Sequence, residues 1–206
     1  SRLLPQGPPA VHGWDPAAVY IPSWELAGDY FDFLPLPDGR LGLVIADVAG
    51  KGVPAALIMA TFRALLRAHA GSGADVPEVA TNLNRLLRSE CRPHGFVTCF
   101  LGVLDPATGR LTYTNCGHVP PLLVTPSGDG GELAEGGPVL GVFEKAAYAS
   151  RETTLSPGSA LVLHTDGVVE ARRPDGEELG SERLRALVRA GLPRGATTAA
   201  NEVVTA

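Results

Sequence analysis

Two aspartates on either side of a predicted β-hairpin are the residues of this chain best suited to chemistry. Asp29 lies in LAGDYFD (residues 26–32) and Asp47 in IADVAGKG (residues 45–52). Pro37-Asp38-Gly39 between them is typical of a turn, and antiparallel pairing centred near Asp38 sets Asp29 opposite Asp47. Facing carboxylates have Cβ atoms roughly 4.5–5.5 Å apart and repel one another. A positive charge is therefore expected between them: a Lys or Arg side chain is one option, and a divalent cation held by oxygen ligands resolves the repulsion more completely.

A third acid ends another apolar run. In ALVLHTDG (residues 160–167), Asp166 follows the apolar residues and precedes a glycine. Three predicted strand ends that each carry a carboxylate indicate a metal site at one edge of a β structure. Asp-Gly pairs also end strands through turn chemistry alone, as expected at Asp38, and for Asp166 taken by itself both interpretations stay open.

Side-chain alternation along the hairpin predicts where its apolar residues lie. Phe31 and Phe33 share a face with Asp29, and Leu43 and Ile45 share a face with Asp47. We expect these apolar rows to form the floor of the core, with the acids at its rim.

Composition restricts the class of protein. The chain has 206 residues with a net charge of -5, 45% hydrophobic and 19% charged residues, which predicts one globular domain. Its acidity and the lack of a Lys/Arg cluster predict neither a nucleic-acid partner nor membrane contact, and no apolar stretch approaches the roughly 20 residues of a membrane span. The three cysteines lack metal or redox spacing, which favours a cytoplasmic location, and the scattered histidines favour Mg or Mn over Zn.

Periodicity and turn signals predict an α+β fold in which antiparallel strands are interrupted by helices. Helices are predicted at Pro54–Ala70, Val76–Arg88, Ser181–Ala190 with a Ser/Glu cap, and Ala199–Thr205. Strands are predicted within Val11–Ile21 and at Tyr30–Leu34, Leu41–Asp47, Phe96–Leu104, Leu111–Cys116, Leu122–Thr125, Tyr148–Leu155 and Ala160–His164, with a surface loop at Pro126–Gly137.

The residues after Asp47 suggest how an anion could be bound. Two cations bridged by Asp47 could activate a water molecule and bind the oxygens of a phosphoryl group. Gly50 and Gly52 would let the backbone approach that group, Lys51 would add charge, and the helix beginning at Pro54 would offer free N–H groups. An ordinary flexible turn with a solvated lysine is the simpler interpretation of this Gly-Lys-Gly sequence.

A polar turn follows the second predicted hairpin in NCGHVPP (residues 115–121). His118 could donate a proton to a leaving alkoxide, or it could be a turn residue and hydrogen-bond anchor. Cys116 as a nucleophile has no visible base beside it, and a small residue at a strand end explains it equally well.

Five blocks in order resemble the metal-dependent protein phosphatase superfamily, in its bacterial stage II sporulation protein E-like branch. The blocks are AGDYFD (27–32), DVAGKGVPAA (47–56), FVT (96–98), NCGHVPP (115–121) and HTDG (164–167). The resemblance implies a sandwich of two antiparallel β-sheets flanked by helices. It also implies a centre of two Mg or Mn ions and hydrolysis of phosphoserine or phosphothreonine on a protein, usually an anti-anti-sigma factor.

Carried over by position, the resemblance implies a ligand set. Asp47 would bridge both metals, Asp29 and the Val48 carbonyl would bind the second, and Asp166 the first. A metal-bound water would attack phosphorus, so that no side chain is the nucleophile. Asp32 matches the motif, but strand alternation places it on the face opposite Asp29, and we expect it to be structural.

The family pattern closes with an Asp-Asp-Thr type motif that this chain lacks. We therefore expect residues 1–206 to be a catalytic fragment without its C-terminal metal-ligand strand and without an N-terminal sensory domain; a homodimer is left open. The alternatives are a non-catalytic partner-binding module with an incomplete metal site, and a metallohydrolase of small phosphoesters.

Overall fold

Two sheets form in the computed structural model, which describes residues 4–21, 28–71, 75–91, 95–172 and 176–205. Within that part of the chain, one sheet has six strands and the other has two. The strands are β1 (Tyr30–Pro35), β2 (Leu41–Val48), β3 (Val97–Leu104), β4 (Arg110–Cys116), β5 (Leu122–Val124), β6 (Gly136–Gly137), β7 (Arg151–Thr154) and β8 (Ala160–Val162). The helices are α1 (Gly52–Ala70), α2 (Val76–Glu90), α3 (Asp166–Val169), α4 (Gly180–Gly191) and α5 (Ala196–Thr205), with a 3-10 turn at Leu192–Arg194.

This mixture of helices and mainly antiparallel strands confirms the predicted α+β class. The chain divides into two compact units. The first unit comprises Ser1–Pro5, Ile21–His118 and Ala134–Thr154, and the second comprises Gln6–Tyr20, Val119–Leu133 and Leu155–Ala206.

The larger sheet lies in the first unit and begins with the predicted hairpin. Tyr30 pairs with Ala46 and Pro35 with Leu41, which confirms a turn centred at Asp38. Gly39 there has a φ of +82°, a conformation that glycine adopts without strain. The order continues from β2 to β3 and β4 through antiparallel pairs. One pair departs from the prediction, since β6, at the end of the expected Pro126–Gly137 loop, runs parallel to β4.

The helices of the first unit cover one face of this sheet. Tyr30, Val44 and Ala46 lie in a core cluster with α1 and α2 residues, and the Tyr30 ring meets Phe62 edge-on with centroids 5.8 Å apart. The prediction that the Phe31 face is the core floor is thus wrong for the main core, because the apolar sides of α1 and α2 pack on the other face. The predicted floor is only partly buried, with Phe31 and Phe33 half-buried and Leu43 and Ile45 buried.

The second unit pairs β5 with β8 antiparallel, with Leu122 opposite Val162. Leu122 packs with Leu184 and Val188 of α4 in its core. The predicted Ser/Glu cap of this helix is wrong: α4 begins at Gly180, so Ser181 lies inside its first turn and no side chain caps it.

The segment Val11–Ile21 contains no strand, which corrects the prediction. A turn replaces it, because the Trp14 N–H donates to the carbonyl of Val11 and Gly13 adopts a φ of +79°. Asp15 then accepts a hydrogen bond from the first N–H of α5, at 2.7 Å. Among the described helices, none combines the length and apolar character needed to cross a membrane.

Candidate metal centre

The hairpin register brings the first two predicted ligands to the same end of the sheet. The pairing of Tyr30 with Ala46, continued by one residue, places Asp29 opposite Asp47. Asp47 is the one residue of β2 that is not fully buried. Because neighbouring side chains on a strand point to opposite faces, the Asp47 carboxylate lies away from the core that holds Ala46 and Val48.

Close packing at Gly28 joins these oxygen atoms to the start of β1. A Cβ atom added at Gly28 would lie 2.7 Å from the carbonyl oxygen of Val48 and 3.2 Å from Oδ1 of Asp47. Only a residue without a side chain fits there. The structure therefore gathers the Asp47 carboxylate and the Val48 carbonyl beside the backbone that leads into Asp29.

Asp166 lies in the second unit, where it is exposed and opens α3. Its carbonyl accepts a hydrogen bond of 2.8 Å from the Glu170 N–H. No group of three or more His, Cys, Asp or Glu residues is placed to hold a metal ion within the described ranges. The structure thus supports the neighbourhood of Asp29, Asp47 and Val48, and the participation of Asp166 stays a prediction.

The donors gathered at the hairpin end fit a hard divalent cation. They are carboxylate and carbonyl oxygens, which suit Mg and Mn better than Zn. Cys99 and Cys116 are unsuited to supply a thiolate. Both are fully buried, and burial raises the pKa of Cys116 to about 12. A thiol that stays protonated is neither a metal ligand nor a nucleophile at neutral pH, which agrees with the structural interpretation of Cys116.

The loop after β2 has a glycine-dependent conformation. Gly50 and Gly52 adopt φ values of +114° and +71°, and a Cβ atom added at either would meet nothing within 4 Å. Lys51 between them is exposed and precedes the first residue of α1. This open loop at a helix N-terminus is compatible with anion binding, which stays a prediction.

His118 is buried and held by three hydrogen bonds. Its ring Nδ1 lies 2.9 Å from the Thr98 hydroxyl oxygen. The backbone N–H of His118 donates to Oδ1 of Asn115 at 2.7 Å, and the Asn115 side-chain amide donates to the backbone carbonyl of His118 at 3.1 Å. These contacts are those of a hydrogen-bond anchor, the second of the two interpretations of this residue.

Thr98 and Asn115 were not assigned a role from the sequence, although both lie in the quoted motifs. Thr98 pairs with Asp47 in the β2–β3 register, and its hydroxyl donates to the Asp47 carbonyl at 3.4 Å. Two helices separate these strands in the sequence, so no local turn signal could have indicated the pairing.

Asp32 occupies the helix-facing side of β1, as expected for a structural residue. It is 2% exposed and accepts hydrogen bonds from the Tyr30 hydroxyl and, at 2.8 Å, from Nε of Arg67 on α1. Burial raises the pKa of Tyr30, and the neighbouring Asp32 carboxylate raises it further. Ala27, the first residue of this motif, lies outside the described residues.

Comparisons with known proteins identify the family of this chain. The sequence model of the family "Stage II sporulation protein E" matches residues 37–206. Protein IcfG of Synechocystis sp. is 31% identical over 210 residues, covering 89% of this chain and 33% of that protein. Phosphoserine phosphatase RsbU of Bacillus subtilis is 30% identical over 190 residues, covering 88% of this chain and 56% of that protein. The chain thus spans between a third and a little over half of the length of these relatives.

A solved structure shows the same fold. The crystal structure of the RsbU and RsbW domains of Rv1364c from Mycobacterium tuberculosis superimposes with a TM-score of 0.72 at 29% identity, covering 89% of this chain and 50% of that one. The family match covers most of the chain, and the fold agrees with it. The chain therefore belongs to the stage II sporulation protein E family.

Proposed function

We propose that this chain is a Mg- or Mn-dependent phosphatase that hydrolyses phosphoserine or phosphothreonine on a regulatory protein. The observation that carries the proposal is the grouping of the Asp47 carboxylate, the Val48 carbonyl and the backbone before Asp29 at one end of the hairpin. Family membership supports it, since the relative RsbU is named a phosphoserine phosphatase.

Three groups of the first unit would hold the metal ions. They are the Asp47 and Asp29 carboxylates and the Val48 carbonyl, and the family resemblance adds the Asp166 carboxylate. When bound, such ions lower the pKa of water and neutralise charge on phosphoryl oxygens. The facing carboxylates in turn lose their mutual repulsion.

One lysine and several backbone N–H groups of the chain would orient the phosphate. Lys51 and the N–H groups of the first turn of α1 offer positive charge on one loop, and Gly50 and Gly52 leave that loop uncovered. No side-chain nucleophile is required, in keeping with the buried, protonated Cys116.

We propose a phosphorylated anti-anti-sigma protein as the substrate, within partner-switching signalling. The similarity to RsbU supports this class, as does a solved relative that combines RsbU and RsbW domains in one protein. A cytoplasmic location belongs to the same proposal and is supported by three cysteines that are all free.

The test is phosphate release from a phosphoserine-containing anti-anti-sigma protein. We expect release with Mn²⁺ or Mg²⁺, none with a chelator, and recovery when the ion is added back. Release that is indifferent to the chelator would contradict the metal-dependent mechanism.

The same assay separates the alternatives. Binding of the phosphoprotein without release of phosphate would favour the partner-binding module. One observation is consistent with that alternative: the described residues contain no group of three His, Cys, Asp or Glu side chains placed to hold a metal ion. Turnover of para-nitrophenyl phosphate without turnover of the phosphoprotein would favour a hydrolase of small phosphoesters.

A further inference from the structure

We propose that Thr98, Asn115 and His118 form a positioning network that holds the main-chain carbonyl of Asp47, and that His118 serves in it as an anchor and not as a proton donor. The inference rests on the proposed function, because it assigns these residues to orienting the metal-binding segment Asp47–Val48. All of them belong to the first unit.

The hydrogen atoms can be assigned from the acceptors. The Asp47 carbonyl can only accept, so the Thr98 hydroxyl donates its single hydrogen to it, across 3.4 Å. The Thr98 oxygen can then only accept from the His118 ring, whose Nδ1 is 2.9 Å away. With this direction of donation, His118 carries a hydrogen on Nδ1. A proton donated to a substrate would have to come from Nε2 instead.

The histidine itself is held from both sides. The reciprocal hydrogen bonds with Asn115 fix its backbone, and Asn115 and His118 are 2% and 5% exposed. Gly117 between them has a φ of +67°, and a Cβ atom there would lie 2.6 Å from Cγ1 of Val139. The ring therefore approaches Thr98 from a rigid turn at the end of β4.

Holding the Asp47 carbonyl affects both predicted ligands of this segment. The carbonyl belongs to the peptide group that joins Asp47 to Val48, which the pairing of Asp47 with Thr98 in the β2–β3 ladder also holds. The hydroxyl contact therefore adds to the constraint on this peptide group, from which the Asp47 side chain and the Val48 carbonyl extend. Partners of this kind orient metal ligands, and their loss typically lowers metal affinity about 10–100-fold.

Two matched pairs of variants test the network. Thr98→Val removes the hydroxyl and keeps the shape, whereas Thr98→Ser keeps the hydroxyl. His118→Asn places an amide nitrogen near the position of Nδ1 and cannot act as an acid, whereas His118→Gln places its amide near Nε2. Thermal unfolding of each variant checks that it is folded.

The first measurement is Mn²⁺ binding to the chain by calorimetry, which does not depend on turnover. We expect Thr98→Val and His118→Gln to weaken binding about 10–100-fold, and Thr98→Ser and His118→Asn to stay within about threefold of wild type. Wild-type affinity in Thr98→Val would overturn the proposal.

The second measurement is the pH dependence of kcat/KM at saturating Mn²⁺ on a phosphoserine protein. An anchor predicts that His118→Asn keeps the shape of the wild-type profile. Loss of its alkaline limb, with Mn²⁺ affinity intact, would instead identify His118 as the proton donor and overturn the proposal.

The third measurement is the nitrogen NMR spectrum of the His118 ring in the wild-type chain. The network requires the form with hydrogen on Nδ1, and a neutral ring with hydrogen only on Nε2 would overturn it. A wild-type chain that binds Mn²⁺ with the expected variant effects but releases no phosphate would refute the proposed function alone.

Discussion

Aspartates have different partners on the helix-facing side of the β1–β2 hairpin and at its open end, the end opposite the turn, where Asp29 and Asp47 lie. On the helix-facing side, Asp32 is buried and paired with Arg67 of α1. At the open end, Asp47 lies opposite the position of Asp29, and its carbonyl accepts from Thr98. The Asp32 carboxylate thus joins two elements of the fold through Arg67. For the Asp29 and Asp47 carboxylates, we propose that a divalent ion is the ligand.

Removing the charge at the open end gives the largest expected effect. Asp47→Asn keeps the size of the side chain but removes a ligand charge, so we expect Mn²⁺-dependent phosphate release to fall by roughly 10²–10³-fold or more. The urea unfolding midpoint without metal should equal or exceed that of wild type, because Asp47 is half-buried and the substitution removes its repulsion with Asp29. An active Asp47→Asn chain, or one that is inactive because it unfolds, would break the proposed division between the two acids.

On the helix-facing side the expected effect is on stability. Arg67→Met leaves the Asp32 carboxylate, whose side chain is 1% exposed, without its cation. We expect a loss of about 2 kcal/mol in the free energy of unfolding, less than for a fully buried pair because the Arg67 side chain is itself 45% exposed. Phosphate release well below the unfolding temperature should be nearly unchanged.

The same hairpin offers a matched control for that variant. Arg40 pairs with Asp38 at the turn, where the side chains are 48% and 50% exposed. Arg40→Met should therefore destabilise the chain clearly less than Arg67→Met. Equal losses in the two variants would show that burial of Asp32 has no special weight.

The smallest expected effect is a pH dependence of stability. Burial and the Asp32 carboxylate raise the pKa of Tyr30 in the folded chain, whereas an unfolded tyrosine titrates near pH ~10. The folded state keeps this proton above that pH and the unfolded state releases it, so the stabilisation is complete below pH ~10 and is lost as the pH rises.

Tyr30→Phe should accordingly flatten the fall in unfolding free energy between pH 9 and 11, by up to about 1.4 kcal/mol per pH unit. Some slope remains, because burial also raises the pKa of Tyr113 and Tyr148. Urea titrations across this range measure it, and Asp47→Asn serves as the control that should keep the wild-type slope. An unchanged slope in Tyr30→Phe would contradict the claim that the raised pKa of the Tyr30 hydroxyl contributes to the pH dependence of stability.

Local signals made the hairpin and its acids predictable. The turn residues at Asp38 and Gly39 set the pairing, and the pairing set Asp29 against Asp47. Alternation likewise placed Asp32 on the other face. It could not say which face the helices cover, because that depends on tertiary packing, and the expected core floor was accordingly assigned to the wrong side.

The partners of these acids were beyond local reasoning. Arg67 reaches Asp32 across 35 residues, and Thr98 reaches the Asp47 carbonyl across 51. Neither distance leaves a periodic pattern in the sequence, so these contacts emerge only when the strands and helices are assembled. The strand predicted within Val11–Ile21 was wrong for a local reason, because the turn at Gly13 interrupts the extended backbone that its apolar residues favour.

Gly28 gives the open end of the hairpin a requirement that involves no functional group. Even a methyl group there would press on the Val48 carbonyl oxygen at 2.7 Å, and the strand end would have to move away. A related chain could thus keep every acid of the motif and still lose the arrangement through one added carbon atom. Screening relatives for active members therefore requires checking this empty position as well as the acids.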